Sequence, residues 1–227
     1  MDYVDAYCER LAPGLWGEPL NALSNFAFVV AAAVVWFRYR PERTGLKVLV
    51  SLLALIGVGS LSFHTAANAL TRVFDVLFIA LFAFFYMVCF AHWFLGRRWP
   101  VAWLFAPGLA VLGVALIPLS RLVPQGSGSY LPVLVALIGL TAGLRVGKPE
   151  LRHHWPSFAA ASAVFALSLT LRTVDNVVCA ELPHGTHYLW HLLNAVVLYL
   201  VARALVLRVR EVSPPRSALP ADRSGPP

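Results

Sequence analysis

The feature that most constrains this chain is a series of apolar runs, each close to the ~20 residues that an α-helix needs to cross ~30 Å of hydrocarbon. Seven are read at about 20–38, 46–64, 73–95, 100–119, 130–146, 155–174 and 187–207. In lipid, backbone polar groups must be satisfied within the segment, so runs of this length specify helices, and seven of them specify an all-α seven-transmembrane helix bundle. Composition agrees: 59% of the 227 residues are hydrophobic and 13% charged, against ~25% charged in a soluble domain. One membrane domain, 20–207, is expected between an extracytoplasmic N-terminal segment, 1–19, and a disordered tail, 208–227, whose Pro- and Ser-rich part begins at Ser213. A secretory leader is not expected, because "MDYVDAYCER" is acidic where a basic region would stand. The fifth run is the least regular, opening with Pro132 and containing Gly139 and Gly143, while Pro107 and Pro118 should bend or end the fourth.

Orientation follows from Lys and Arg, which stay on the cytoplasmic side of short loops. Arg38, Arg40, Arg43, Lys47, Arg97, Arg98, Arg145, Lys148, Arg152, Arg203, Arg208, Arg210, Arg216 and Arg223 fall on one side, fourteen of the 18 basic residues. Only Arg10, Arg72, Arg121 and Arg172 fall on the other, so the N-terminus is expected outside and the C-terminus inside. The net charge of +7 then serves topology and contact with anionic inner-leaflet lipid, and no nucleic-acid partner is indicated.

With that topology, scattered polar residues gather at one depth. The second run ends "GSLSFHTAAN", placing Ser60 and His64 at i and i+4 on one helix face. The third begins at the same level with Asp75, and the seventh begins there with His187 and His191, again at i and i+4. Ionisable groups are costly in hydrocarbon and tend to persist where they have a functional partner. HxxxH presents two imidazoles on one face, and a third from a neighbouring helix completes the three-nitrogen set of a catalytic zinc with one position left for water. Such a site lowers the pKa of bound water toward ~7. Asp75 then serves as general base or orients the water, and Ser60 can hydrogen-bond an oxyanion. The competing reading is a buried His/Asp/Ser network that only joins helices. His92, His153 and His154, at the opposite ends of the helices, read as structural, and His184 as loop.

The order and spacing of "SLSFH" (Ser60 to His64), Asp75 and "HYLWH" (His187 to His191), with "YCER", "WGEPLNALSN" and "VDNVVC", resemble the alkaline ceramidase family over about residues 7 to 205. These are seven-span membrane amidases in a superfamily with adiponectin-receptor-like and glycolipid-anchor remodelling proteins. The resemblance implies zinc on His64, His187 and His191, with Asp75 passing a proton to the leaving amine, Ser60 steadying the oxyanion, and a ceramide-like membrane lipid as substrate. It also brings an N-terminal calcium site, for which only Glu9 and Glu18 match here. With Asp5 or Asp2 assisting they fall short of the six to eight oxygens calcium prefers, and Arg10 would repel the ion. The alternative for both acids is capping and salt bridging at the start of the first span. Asn21, Ser24 and Asn25 form one polar stripe that reads as helix packing.

Cys89 falls mid-span and reads as a small apolar filler. Cys8 and Cys179 both map to the outer side, where a disulfide is permitted, and the resemblance favours that pairing over two unrelated thiols. Four functions compete: a zinc amidase on ceramide or a related N-acyl lipid, a hydrolase or acyl-transfer enzyme of another lipid bond, a non-enzymatic seven-span receptor, and a metal transporter. Asp75 weighs against the receptor, and ligands confined to one depth weigh against transport. The short chain and loops favour a bacterial inner membrane over ER or Golgi, and no oligomeric state is specified.

Overall fold

The computed structural model describes residues 3–212. Asp2, considered above as an auxiliary calcium ligand, and the tail from Ser213 lie outside them. Ten α-helices account for the fold: α1 (Pro19–Ser24), α2 (Phe26–Tyr39), α3 (Thr44–Ala66), α4 (Ala69–Trp93), α5 (Trp99–Ala102), α6 (Phe105–Ala115), α7 (Ile117–Ser120), α8 (Leu131–Val146), α9 (Trp155–Val174) and α10 (His187–Val212). No β-strand occurs among the described residues, where Tyr3 and Asn68 make an isolated antiparallel bridge.

Six helical stretches are long and apolar enough to cross a membrane, the first formed by α1 and α2 together over Pro19–Tyr39. The expected fourth run differs. It is divided into α5, α6 and α7, with a shorter apolar stretch at Trp99–Ala115. The breaks fall before the two prolines, at Trp103–Leu104 and at Leu116, so that Pro107 and Pro118 each sit in the first turn of a new helix, where a missing N–H is tolerated. The fifth run, for all its Pro and Gly, forms the continuous helix α8. At the C-terminal end α10 continues through residues 208–212, which are helix rather than the start of a disordered tail.

The long helices form a closed ring in which α2 packs on α3, α3 on α4, α4 on α6, α6 on α8, α8 on α9, α9 on α10 and α10 back on α2. The core inside is apolar, with Leu53, Ile56, Phe158 and Leu205 fully buried. Outward faces are apolar as well: Phe37 is 74%, Val111 68% and Val58 55% exposed, the surface of a chain whose solvent is lipid.

Two glycines let α3 approach its neighbours closely. A Cβ on Gly57 would press on the Asn25 carbonyl oxygen at 2.9 Å, and one on Gly59 on the Phe74 carbonyl oxygen at 2.9 Å. Ser60 follows directly, so this contact sets how closely α3 carries its polar turn toward α2 and α4. Helix α3 ends at Ala67 in the left-handed region, φ 48°, and α4 restarts at once from a capping box made by Asn68 and Thr71.

The N-terminal segment crosses this end of the bundle. Val4 donates its N–H to the Ala67 carbonyl (2.8 Å) and Gly14 to that of Thr65 (2.7 Å). Cys8 and Cys179 are joined as a disulfide, with Cα atoms 5.5 Å apart, while Cys89 is buried and free.

Candidate metal centre

The three histidines at this end of the bundle lie close to helix termini. Helix α10 begins at His187, and its first amides are held by Asp175, whose Oδ1 accepts from the N–H groups of Thr186 (2.7 Å) and His187 (2.9 Å). The other oxygen accepts from Cys8 N (3.0 Å), so one buried carboxylate ties the N-terminal segment to the start of α10. An anion is well placed there, where free N–H groups and the helix dipole converge. Gly185 precedes this cap at φ 59°, and a Cβ would collide with Asp175 Oδ1. Only glycine meets both conditions. Glu9 plays the equivalent part for α1, its two oxygens accepting from Leu20 N and Asn21 N, both at 2.8 Å.

With α3 and α10 so placed, His64, His187 and His191 converge. All three are buried, with ring centroids 4.6 Å apart for His187 and His191, 4.7 Å for His64 and His191, and 5.3 Å for His64 and His187. One ring nitrogen from each lies within 4.8 Å of the others. Two of the tautomers follow from their partners. His64 Nδ1 donates to Glu18 Oε2 at 2.9 Å, which leaves Nε2 as a bare acceptor. Ser24 donates its single hydroxyl hydrogen to the Asn21 carbonyl (2.9 Å), so it accepts from His191 Nδ1 (2.7 Å), and His191 Nε2 is likewise bare. His64 Nε2 and His187 Nδ1 are buried without a hydrogen-bond partner. Buried nitrogens with no partner are rare in a folded chain, and a cation bound among these rings would satisfy them. Three imidazoles from two helices match the donor set of a catalytic zinc with one open position.

The support behind His64 is charged. Glu18 is completely buried, with Oε1 paired to the equally buried Arg10 and Oε2 shared between His64 and Asn21 Nδ2 (3.0 Å). Burial pushes the Glu18 carboxyl up, and Arg10 followed by Asn21 pulls it back down. Arg10 also donates to the Val4 and Phe63 carbonyls and lies 4.5 Å over the Phe63 ring. Glu9 thus caps α1 and Glu18 pairs with Arg10 and His64, the arrangement that the capping and salt-bridging alternative describes. Arg10, read as an obstacle to calcium, is itself the cation that Glu18 meets. Sequence reasoning missed the contact of Glu18 with His64 and that of Ser24 with His191. The polar stripe of Asn21, Ser24 and Asn25 was the available signal, and it read as helix packing.

Ser60 and Asp75 are buried at 2% and 8% exposure, one turn from His64 on α3 and on the facing turn of α4, with the Ser60 hydroxyl beside the Asp75 carboxyl. Asp75 is not among the clustered ligand atoms. It lines a cavity of about 380 Å³ together with Tyr7, Arg72, Tyr130 and Arg172. Tyr7 also stacks on His187, centroids 3.7 Å apart, so this ring stands between the histidines and the cavity. Burial raises the Tyr7 phenol well above its ordinary range, which keeps its hydrogen in place. A second cavity of about 100 Å³ shares Ile79, Ala83, Leu109 and Tyr130 with the first and is walled almost wholly by apolar side chains. His184 is an exposed loop residue outside the cluster.

A protein-family model described as Ceramidase matches residues 7–217, nearly the whole chain. No curated protein matches it.

Proposed function

The chain belongs to the ceramidase family, and from that premise we propose that it is a zinc-dependent membrane amidase hydrolysing the N-acyl bond of ceramide or a related N-acyl lipid. The observation that carries this reading is the buried His64, His187 and His191 cluster, with two partnerless ring nitrogens, near an acid that lines a cavity of about 380 Å³. Zinc held there supplies a Lewis acid and an activated water at neutral pH.

The remaining chemistry falls to the chain. Glu18 and Ser24 engage Nδ1 of two imidazoles and leave Nε2 of each free to ligate, which would reduce the reorganisation needed on binding. Asp75, at the cavity wall, accepts a proton from the attacking water and returns it to the leaving amine. The water oxygen joins the acyl carbon, the C–N bond breaks, and fatty acid and sphingoid base result. Ser60, beside Asp75, donates to the oxyanion as charge develops. The larger, partly polar cavity suits the headgroup side of the amide, and the apolar one continues it for hydrocarbon. The lysine and arginine distribution supports an outside location for this end of the bundle, and the short loops support a bacterial inner membrane.

The test is turnover of labelled ceramides by purified chain beside His64→Ala and Asp75→Ala, with an ester analogue in parallel. Amide turnover lost in both variants is the expected result. Hydrolysis of the ester alone, or bound zinc with no turnover of any N-acyl lipid, would overturn the amidase reading.

A further inference from the structure

A second cluster lies at the far end of α10. His153 and His154 close the 3-10 turn Pro149–His154, and Glu211 stands in the last turn of α10. His153 Nε2 lies 2.8 Å from Glu211 Oε1, and His154 Nε2 3.1 Å from Glu211 Oε2. From His187 to Glu211 is 24 residues of one helix, about 36 Å at 1.5 Å per residue. The cluster is therefore separate from the one described above by the thickness of a membrane.

Adjacent residues of a helical turn ordinarily point apart. Here both rings turn to one side, centroids 4.0 Å apart, and present the same nitrogen to one carboxylate. His154 is buried and packed edge-on against Phe94 (5.0 Å), which fixes its ring. The His153 side chain is 57% and that of Glu211 36% exposed, so the cluster has a rigid wall and an open, wet side. The carboxylate is itself held: Arg208 Nη1 donates to Oε2 at 3.1 Å while its Nε is anchored on the Trp93 carbonyl at 3.2 Å. Arg208 thus occupies one oxygen and leaves Oε1 to the solvent side. Each of the three residues offers an atom within 4.8 Å of the others.

The geometry points to a second metal site, in which His153, His154 and Glu211 bind a borderline divalent transition ion such as Zn²⁺ or Ni²⁺ and pin the entry of α9 to the exit of α10. Two imidazoles and one carboxylate, with positions left for water, form a donor set that such ions accept and Mg²⁺ or Ca²⁺ do not prefer. Arg208 acts as the partner that orients the ligating carboxylate, as outer groups do at protein metal sites. Its positive charge and the solvent exposure make this site weaker than the buried triad. The ligating forms are unprotonated Nε2 atoms and an ionised carboxylate, so the ion competes with protons and binding weakens as pH falls.

The experiment is zinc titration of the full chain in detergent after metal removal, read as metal per chain and repeated with Ni²⁺. About two equivalents are expected for the unsubstituted chain and about one for His153→Ala/His154→Ala, in line with three protein ligands per site. Glu211→Gln, which keeps an acceptor for one ring and removes the charge, should weaken the second equivalent by about tenfold or more. Retention of the first equivalent in each variant shows that the bundle is intact. One equivalent in the unsubstituted chain at saturation, or a second equivalent unchanged in both variants, would mean a hydrogen-bonded His–Glu clasp only and overturn the proposal. His191→Ala separates the two sites, since it should remove the tight equivalent and leave the weak one.

Discussion

Replacing Arg10 and Glu18 together, Arg10→Met with Glu18→Gln, isolates the support behind His64. Changing Glu18 alone would strand the Arg10 guanidinium, whose side chain is 0% exposed. Breaking a buried pair in this way costs ~3–5 kcal/mol, a large part of the ~5–15 kcal/mol that holds a domain folded. Unfolding and metal loss would then be confused. The double replacement removes both charges, and exchanging a buried pair for neutral groups of similar volume is often close to neutral. The introduced glutamine would still offer an amide oxygen where His64 Nδ1 now donates to Glu18 at 2.9 Å. What is lost is the charge on that acceptor. Hydrogen bonds to charged groups contribute ~1.5–3 kcal/mol and neutral ones ~0.5–1.5, a difference of ~1–1.5 kcal/mol. At ~1.4 kcal/mol per decade this weakens zinc about tenfold, within the ~10–100-fold range for outer partners of metal ligands. Competition against a chromophoric chelator measures the zinc affinity, and the thermal midpoint of the metal-free chain checks the fold. A zinc affinity within about twofold of the unsubstituted chain, with the midpoint preserved, would refute the claim that Glu18 conditions His64.

Other consequences are independent of that pair. Ser24→Ala removes the acceptor of His191 Nδ1 without stranding a charge, and zinc should weaken by about tenfold; an unchanged affinity would show that the hydroxyl does not set the tautomer. Asp175→Ala frees the buried Thr186 and His187 N–H groups at the start of α10 and the part-buried one of Cys8 in the N-terminal segment, and at ~1–3 kcal/mol for each unsatisfied donor the thermal midpoint should fall by several degrees, a fall that would be absent if water replaces the carboxylate. Peptide mapping without reductant should find Cys8 linked to Cys179 and Cys89 free; both thiols free would remove the tie between the N-terminal segment and α10. Single cysteines at Arg97 and Leu122 report topology, since an impermeant maleimide applied to intact cells should label Leu122→Cys and spare Arg97→Cys, and the reverse pattern would invert the orientation.

The helical bundle was legible because hydrocarbon imposes length and apolarity on every crossing, and periodicity placed His64, His187 and His191 on faces that could meet. Burial, the i, i+4 spacing and the alternation of loops carried that much. The fourth crossing was not legible in detail, because the position of a break depends on which helix the proline starts rather than on the proline itself. The contacts of Glu18, Ser24 and Arg10 were not legible for a different reason. Each acts through a residue far away in sequence, Glu18 on His64 and Ser24 on His191, and only the packing of α1 between α3 and α10 brings them together. Asp175 stood within a quoted motif, yet its three N–H partners come from two remote segments. His153 and His154 read as ordinary interface histidines until Glu211 appeared opposite both.

The most direct test of the account is the zinc content of the purified chain carrying His153→Ala and His154→Ala, so that only the buried triad contributes, measured alongside its turnover of an N-acyl sphingoid lipid. About one zinc per chain is expected, lost together with turnover in the added presence of His191→Ala. A metal-free chain that still cleaves the amide, or zinc retained in full without His191, would contradict it.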